Sequence, residues 1–296
     1  MIVITAPTGN IGRPLLSRLL ESAPVGEELR VIVRDPGRLP DAARGRVEVV
    51  TGSHGDTGVL DRAFEGTDAV FWLVPPDASR TPQDAFSGFT RPAAKAFAAH
   101  GVGHVVGVSA LGRGTPLADR AGLVTASLAM DDLIAGSGVA YRALANPSFF
   151  ENLLEEADSI RDRGVFTDSV DADRKAPLVA TADIAAVAAG LLLDRSWTGT
   201  GSVPVLGPRD VSPNDLARIM TEQLGRPVRY ERRPLDELHT GLVGHGLNEA
   251  FVQGLVDMKR AKDQGLDAGV ARTPDTASPT GFEQWCTQTL KPAVLS

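Results

Sequence analysis

Short apolar runs alternate with longer amphipathic stretches along the first half of the chain, and this order limits the possible folds more than any other feature. The runs are nearly continuous in apolar residues, as is typical of parallel strands that are buried on both faces. The stretches between them carry apolar residues at helical spacing, for example the leucines of residues 12–23. Strand alternating with helix predicts right-handed βαβ crossovers, and therefore a doubly wound parallel sheet of the α/β class. The predicted strands are Met1–Thr5, Leu29–Arg34, Val47–Gly52, Ala69–Pro75 and His104–Ala110.

The pattern changes after a further predicted strand at Gly138–Pro147. We expect one helix over residues 147–164, capped by Ser148, because Glu151 follows three positions later. Beyond Val211 the sequence is typical of helices joined by short strands. We therefore predict a larger α/β domain and a smaller, mainly helical C-terminal lobe. The larger domain takes residues 1–150, with 181–207 returning to it, and the lobe takes residues 151–180 and 208–296.

Composition and charge argue against several classes of protein. The formal net charge of −7 does not favour binding to nucleic acid, and no basic run indicates a membrane surface. The longest apolar run, Ala185–Leu193, is too short to cross a bilayer. Cys286 is the only cysteine, so we expect neither an intrachain disulfide nor a cysteine-based metal cluster, and we predict no metal site. No charged leader precedes the first strand, so we expect a cytoplasmic protein without a signal peptide.

The segment TAPTGNIG, residues 5–12, follows the first predicted strand and precedes the first predicted helix. A dinucleotide site needs a tight turn there, a bare backbone facing the pyrophosphate and close packing of helix on sheet. Gly9 and Gly12 suit the last two needs, and the start of the helix supplies free N–H groups. Thr8 and Asn10 add side chains that can hydrogen-bond to phosphate. Ala6 stands where the first glycine is usual, which is acceptable provided that its φ angle is negative.

The end of the second strand indicates which dinucleotide is bound. Arg34 stands at its tip and Arg38 follows four residues later, and a guanidinium group suits the 2′-phosphate of NADP. Asp35 could instead accept from the ribose hydroxyl of NAD, or form a solvated pair with Arg34. We predict NADP (NADPH) as the cofactor, with NAD less favoured.

The third and fourth strand ends lie on the same carboxyl edge, along which ligands of open α/β sheets bind. Asp56 is a candidate acceptor for the adenine amino group. Val74 and Pro75 are candidates for contact with the adenosine and its ribose. His54, in the same loop as Asp56, is interpreted as a polar loop residue without a ligand role.

Taken in order, the motifs VRDP, GD, LVPP, VSALG, NPSFFENL and TADIAAVAAGLL resemble the NmrA-like branch of the atypical short-chain dehydrogenases/reductases. The resemblance is greatest to the members that are similar to NAD(P)H:quinone oxidoreductases, and it extends to the closing SPTGFEQW. It implies a Rossmann-type domain, a small C-terminal lobe on the substrate side and an active cleft between them. The phosphate loop of that family falls on Thr8, Gly9, Asn10 and Ile11, and its 2′-phosphate arginine falls on Arg34.

The same resemblance implies which residues face the nicotinamide. Ser109 begins the segment that continues to Leu111, and it stands at the strand end where this fold places catalytic serines. A role in holding the carboxamide, or in capping the strand, is the alternative for Ser109. Asn146 occupies a position where the family usually has arginine. The residues expected to line this end are Asn146, Pro147, Ser148 and Phe149.

The tyrosine–lysine pair of the main reductase family is absent from this chain. Neither Tyr141 nor Tyr230 has a lysine four residues later. Ser127 and Met130 fall where atypical members keep a lysine or histidine and a glutamate. Neither side chain donates a proton efficiently near neutral pH.

These observations lead to a functional hypothesis with one alternative. We expect a reductase that passes a hydride from NADPH to a quinone-like or small carbonyl acceptor, with the proton coming from solvent or a histidine. His239 and His245 are the candidate histidines, and a surface or capping role is the alternative for each. The alternative function is a non-catalytic, NAD(P)-sensing regulatory protein of the NmrA type. The expected partner is a small apolar or aromatic substrate, and the chain is expected to be a monomer or a homodimer.

Overall fold

A seven-stranded parallel sheet forms the centre of the computed structural model, which describes residues 1–296. The predicted doubly wound sheet is confirmed. The second and third strands of the chain lie on one side of the first strand. The later strands lie on its other side, in the order of the chain. This reversal creates a crevice at the carboxyl ends of the strands, where such sheets bind ligands. Across the sheet the order is β10 (Thr200–Pro204), β6 (Ala140–Asn146), β5 (His104–Ala110), β4 (Ala69–Trp72), β1 (Ile2–Thr5), β2 (Leu29–Val33) and β3 (Glu48–Thr51).

Helices cover both faces of the sheet. The α-helices of the whole chain are α1 (Gly12–Ser22), α2 (Thr57–Phe64), α3 (Phe89–Ala99), α4 (Leu123–Ala135), α5 (Ala157–Arg163), α6 (Thr181–Leu193), α7 (Pro213–Leu224), α8 (Leu235–Gly244), α9 (Glu249–Asp263), α10 (Phe282–Trp285) and α11 (Lys291–Leu295). One buried cluster joins the sheet to α1 and α6, and another joins its opposite face to α2, α3 and α4. In β1, Ile2 and Ile4 belong to the first cluster and Val3 to the second. This burial on both faces explains why the strand sequences are apolar without alternation. None of the helices combines the length and apolarity that a membrane crossing requires.

The predicted helix over residues 147–164 is wrong in its first half. Ser148 and Phe149 form a short strand, β7, which pairs with β9 (Ala176–Val179). A 3₁₀ segment follows at Phe150–Glu156, and the α-helix begins only at Ala157. Ser148 caps nothing, because it pairs with Leu178 in the β7–β9 ladder and Phe149 takes the cap position. The Glu151 carboxylate accepts from the Thr181 N–H and the Trp285 indole N–H. These long-range contacts override the local capping pattern.

A third buried cluster lies in the later part of the chain. It joins Phe150 and Ile160 to residues of α7, α10 and α11 and contains Phe282 and Trp285. Small sheets border it, formed by β7, β9 and β11 (Asp210–Val211), and by β8 (Val165–Asp168) with β12 (Arg229–Arg232). Residues 167–177, whose several charges are typical of a loop, begin within β8 and end within β9. This separate core supports the two predicted lobes, whose boundaries stay a prediction.

Candidate functional site

The predicted cofactor residues lie in or after six neighbouring strands of the central sheet. Because those strands are parallel, the segments that follow them meet at one edge. The loop after β1 carries Gly9 and Gly12, and Arg34 follows β2 directly. Ser109 and Asn146 lie at the adjacent ends of β5 and β6, where Ala110 pairs with Asn146. The topology thus brings the residues proposed for phosphate, ribose and nicotinamide to one crevice.

The turn between β1 and α1 adopts a conformation that the sequence reasoning did not expect. Ala6 has a φ of +48°, and it is the only residue other than glycine with a positive φ. The expectation of a negative φ is therefore wrong. The turn is closed by a hydrogen bond of 3.1 Å from the Gly9 N–H to the Ala6 carbonyl. A Cβ at Gly12 would overlap that same carbonyl, so glycine is required where the helix meets the turn.

The N-terminus of α1 faces this turn without a side chain that caps it. Ile11, at the cap position, is buried, whereas Gly9 and Asn10 are exposed. Free N–H groups at the start of a helix, together with the helix dipole, favour an anion. The turn, the exposed glycine backbone and the uncapped helix therefore fit a dinucleotide pyrophosphate.

At the end of β2, Asp35 is hydrogen-bonded within its own turn, whereas Arg34 is exposed. Asp35 caps the 3₁₀ turn Pro36–Arg38 by accepting a hydrogen bond of 2.9 Å from the Gly37 N–H. Arg34 and Asp35 are both exposed and form no ion pair with each other, so the alternative of two solvated residues at the strand end stays open. Arg34 and Arg38 are both exposed. Their guanidinium groups are available to a phosphate at this strand end.

His54 is a buried neighbour of this edge and is only 8% exposed. Its Nε2 lies 2.9 Å from the Leu73 carbonyl, and its ring meets the edges of Trp72 and Phe89. Burial, aided by the positive charge of Arg34, lowers the pKa of His54 to about 4. The imidazole is therefore neutral near pH 7 and packs in the core beneath the loop, and the absence of a ligand role stays a prediction.

The adenosine-side candidates take different environments. Asp56 caps α2, because its Oδ1 accepts from the Val59 N–H at 3.1 Å. Its side chain is exposed, so contact with adenine stays a prediction. Val74 is buried against the α2–α4 face of the sheet, whereas Pro75 is exposed.

A hydrogen-bonded cluster that the sequence reasoning missed lies beneath the end of β5. Its centre is Asp131 of α4, whose carboxylate is 3% exposed. Ser109 Oγ donates to Asp131 Oδ2 at 2.5 Å, and the Tyr141 hydroxyl donates to Oδ1 at 2.6 Å. Arg113 Nη2 lies 3.5 Å from Oδ2. Burial raises the pKa of Asp131, and burial beside Asp131 raises the pKa of Tyr141 well above its usual range.

The sequence reasoning missed Asp131 because it looked for an acidic residue at the wrong position of α4. The resemblance placed it at Met130, which is buried in the core beneath the sheet. The carboxylate is one residue later, and one step along a helix rotates a side chain by about 100°. An aspartate pair, Asp131 and Asp132, in an otherwise apolar helix was the available clue.

Asn146 has an unusual set of hydrogen bonds at the end of β6. Its Nδ2 donates to the Ser109 carbonyl at 3.1 Å and to the Leu144 carbonyl at 2.8 Å, which fixes the amide orientation. Its Oδ1 is buried without a hydrogen-bond partner. Buried polar atoms are nearly always paired, so this oxygen is a ready acceptor for a ligand N–H group. A nicotinamide carboxamide offers such a donor.

Of the other residues expected to line this end, Pro147 is buried and Phe149 is half-buried.

Neither candidate histidine joins this cluster. His245 is exposed at the end of α8, with Nδ1 2.6 Å from the Gly241 carbonyl, which is the capping alternative. His239 is half-buried on the same helix and makes no hydrogen bond to Ser109 or Asn146. Their catalytic roles therefore gain no support from the geometry.

Later segments of the chain close over this edge. Val270 packs on Leu111, Ala145 and Leu206, which follow or belong to the ends of the central strands. The Asn248 N–H, before α9, donates to the Ala78 carbonyl in the segment after β4. Val270 and the segment before α9 thus lie over the carboxyl edge of the sheet.

Comparison with known proteins identifies the family. The model of a family described as NAD(P)H-binding matches residues 7–195. The chain belongs to this NAD(P)H-binding family. A (4-alkanoyl-5-oxo-2,5-dihydrofuran-3-yl)methyl phosphate reductase from Streptomyces griseus is 32% identical and aligns over 96% of this chain and 96% of its own length.

Two further comparisons agree with the predicted resemblance. Quinone oxidoreductase 2 of Escherichia coli is 28% identical over 91% of this chain and 89% of its own length. A solved structure of the NADPH-dependent quinone oxidoreductase QOR2 from Escherichia coli, complexed with NADPH, has a TM-score of 0.75. It is 23% identical and covers 100% of this chain and 99% of its own. The predicted family resemblance and the Rossmann-type fold are therefore confirmed.

Proposed function

We propose that the protein is an NADPH-dependent reductase that passes a hydride to a small, conjugated, electron-poor acceptor of the quinone or unsaturated-carbonyl type. The observation that carries the proposal is the full-length similarity to a reductase whose named substrate contains an unsaturated lactone. The similarity to a quinone oxidoreductase supports the same class of acceptor, because a quinone also joins a carbonyl to a carbon–carbon double bond. The saturated carbonyl acceptors that the sequence left open fit this chemistry less well.

The residues present fit the cofactor. The turn at Gly9 and the uncapped start of α1 would hold the pyrophosphate, and Arg34 with Arg38 would hold the 2′-phosphate. Since Asp35 is engaged in its own turn, the strand end favours NADPH over NADH. Asn146 Oδ1 would orient the carboxamide. Bound there, NADPH supplies a hydride, so that the acceptor gains a hydride and one proton.

A conjugated acceptor suits the absence of a tyrosine–lysine pair. Hydride addition to such an acceptor leaves a negative charge that is delocalised over a carbonyl oxygen, as in an enolate or a hydroquinone anion. This anion is less basic than a simple alkoxide, so the reaction needs less help from a strong acid. Val270, which is half-buried and packs on Leu111, Ala145 and Leu206, would offer apolar surface to such an acceptor.

Turnover with a graded panel of acceptors tests the proposal. NADPH consumption is followed with a benzoquinone, an α,β-unsaturated lactone and the matching saturated lactone. We expect turnover with the first two and none with the third, and a reduced product two hydrogen masses heavier by mass spectrometry. Tight NADPH binding with no turnover on any conjugated acceptor would overturn the reductase proposal.

One observation favours a second candidate, a non-catalytic dinucleotide-sensing protein. Neither tyrosine of the chain has a lysine four residues later, so the usual proton donor of the reductases is missing. A sensor needs only the dinucleotide site and a surface that changes with occupancy. The same panel decides, because a sensor binds NADPH in calorimetry but consumes none.

A further inference from the structure

Asp131 is a buried carboxyl group that hydrogen-bonds to a residue at the edge of the sheet. We propose that Asp131 supplies the proton of the reduction through the hydroxyl of Ser109, which would donate directly to the acceptor. The inference rests on the proposed reductase function and assigns a proton source that the missing tyrosine–lysine pair leaves open. Ser109 is the catalytic residue in this scheme, and Asp131 acts through it.

The contacts of Asp131 make it suited to this task. The groups that face its carboxyl are Ser109 from β5, Tyr141 from β6 and Arg113 from the loop after β5. The Arg113 guanidinium group is shared between Asp131 and other acceptors. Its Nη1 pairs with Asp132 at 2.9 Å, and its Nη2 also donates to the Leu128 carbonyl at 2.9 Å. The cation is 45% exposed, so its charge is partly screened by solvent. The hydrogen bonds from Ser109 and Tyr141 favour the charged form of the carboxyl, but burial outweighs them and raises its pKa.

The space for this cluster is built into β5. Gly107 precedes Ser109 by two positions and lies on the same face of the strand. A Cβ at Gly107 would overlap the Tyr141 hydroxyl, so glycine there lets Tyr141 reach Asp131. Since Tyr141 holds its own proton firmly, it stabilises the cluster and does not compete as the acid.

The protonation state of Asp131 decides where the Ser109 proton points. A hydroxyl has one proton and two acceptor lone pairs. When Asp131 is ionised, the Ser109 O–H donates to Oδ2 across the 2.5 Å that separates the two oxygens. When Asp131 is protonated, its own O–H can donate to Ser109 Oγ. The Ser109 proton is then free to point to an acceptor in the crevice.

The step balances in atoms and charge. The acceptor gains a hydride from NADPH and a proton from Ser109, while Ser109 gains the proton of the Asp131 carboxyl group. NADP⁺, the reduced acceptor and an ionised Asp131 remain. Asp131 regains its proton from solvent on the side of the half-exposed Arg113 before the next turnover.

The experiment compares D131N with a matched buried carboxylate, D183N. Asp183 on α6 is 5% exposed and also accepts from a hydroxyl, that of Thr280 at 2.9 Å, but it lies outside the cluster. We expect the wild-type kcat to fall about tenfold per pH unit above the pKa of Asp131, with a solvent deuterium isotope effect. In D131N, kcat should fall about 100-fold, lose this pH dependence and lose the isotope effect, while NADPH binding stays unchanged. D183N should keep the wild-type pH profile.

Two further measurements keep the test decisive. S109A should lower kcat as much as D131N does, and the double variant should lose no more than either alone. Infrared difference spectra of the wild-type protein should show the carbonyl band of a protonated carboxylic acid that titrates with kcat and is absent from D131N. Wild-type pH dependence in D131N, or no such band, would overturn the relay while leaving the reductase proposal intact. No turnover by the wild-type protein on any acceptor would overturn the reductase proposal, and the relay with it.

Discussion

The carbonyl of Ala6 lies against the Cα of Gly12, so that a Cβ at Gly12 would overlap it. Ala6 can present its carbonyl there only because its φ angle is +48°. The two residues therefore share the requirements of one tight turn: Gly12 provides the space, and Ala6 accepts the unfavourable conformation. This relationship makes opposite predictions for substitutions at the two positions.

Substitution of Gly12 by alanine should displace the turn that faces the pyrophosphate. We expect a loss of about 1–3 kcal/mol in the free energy of unfolding, because the added methyl group meets main-chain atoms that cannot rotate away. NADPH affinity should fall at least tenfold in calorimetry, since the displaced backbone no longer presents its N–H groups. Gly190 on α6 is the control, because a Cβ there meets nothing within 4 Å. G190A should leave NADPH affinity unchanged and stabilise the helix by about 0.5–1 kcal/mol.

Substitution of Ala6 by glycine should stabilise the protein. The left-handed conformation costs alanine about 1–2 kcal/mol, and glycine adopts it freely, although glycine also gains freedom in the unfolded chain. We expect a net gain of up to about 1 kcal/mol in the free energy of unfolding, measured in urea. Ala23, with a φ of −64°, is the matched control, and A23G should destabilise the protein. Equal losses in A6G and A23G would contradict the conformational cost assigned to Ala6.

The sheet could be predicted from the sequence because each strand carries its own signal. A run buried on both faces is apolar at every position, and the helices between the strands have regular apolar spacing, so local pattern and final fold agree. The turn at Ala6 could not be predicted in the same way. The glycine that is usual at this position was the available sign of a positive φ, but alanine has no local preference for that conformation.

The candidate site could be predicted only in part for a similar reason. Gly12, Arg34 and Ser109 follow from their positions at strand ends, which the order of elements defines. The order of elements does not predict the partner of Ser109. Asp131 lies 22 residues away and reaches Ser109 only when α4 packs on the sheet. The failure of the predicted cap at Ser148 has the same cause, since Ser148 pairs with distant Leu178 in the β7–β9 ladder.

Substitution of Arg34 by alanine should weaken NADPH binding much more than NADH binding. Loss of a charge-assisted contact to the 2′-phosphate should raise the Kd for NADPH about 10- to 100-fold, and that for NADH less than about threefold. Both constants are measured by calorimetry. Arg44, an exposed arginine paired with Asp41, is the control and should bind both dinucleotides normally as R44A. An equal loss of both dinucleotides in R34A would contradict the assignment of Arg34 to the phosphate.

Buried His54 should make the protein acid-sensitive. Its pKa in the folded protein, about 4, lies below its ordinary value of 6.5. The unfolded chain therefore binds this proton more readily, so the stabilisation is present above pH 6.5 and is lost as the pH falls towards 4. Across that window His54 should account for a loss of about 3 kcal/mol in the free energy of unfolding. In H54F the free energy of unfolding should fall less over this pH range. The control is H100F, which alters the half-buried His100 beside Asp61 and should lose as much stability as the wild-type protein. The same loss of stability below pH 6.5 in H54F and in the wild-type protein would contradict this assignment.

The unpaired oxygen of Asn146 should select for the carboxamide of the cofactor. If Oδ1 accepts from the carboxamide N–H, a cofactor analogue with an acetyl group in place of the carboxamide should bind the wild-type protein about tenfold more weakly than NADPH does, both in reduced form. N146A loses the acceptor, so it should bind the two cofactors with similar affinity. It should also be less stable, because the Ser109 and Leu144 carbonyls lose their shared donor. The ratio of the two affinities separates these effects, since a general loss of stability weakens both cofactors equally. A ratio unchanged from that of the wild-type protein would place the carboxamide away from Asn146.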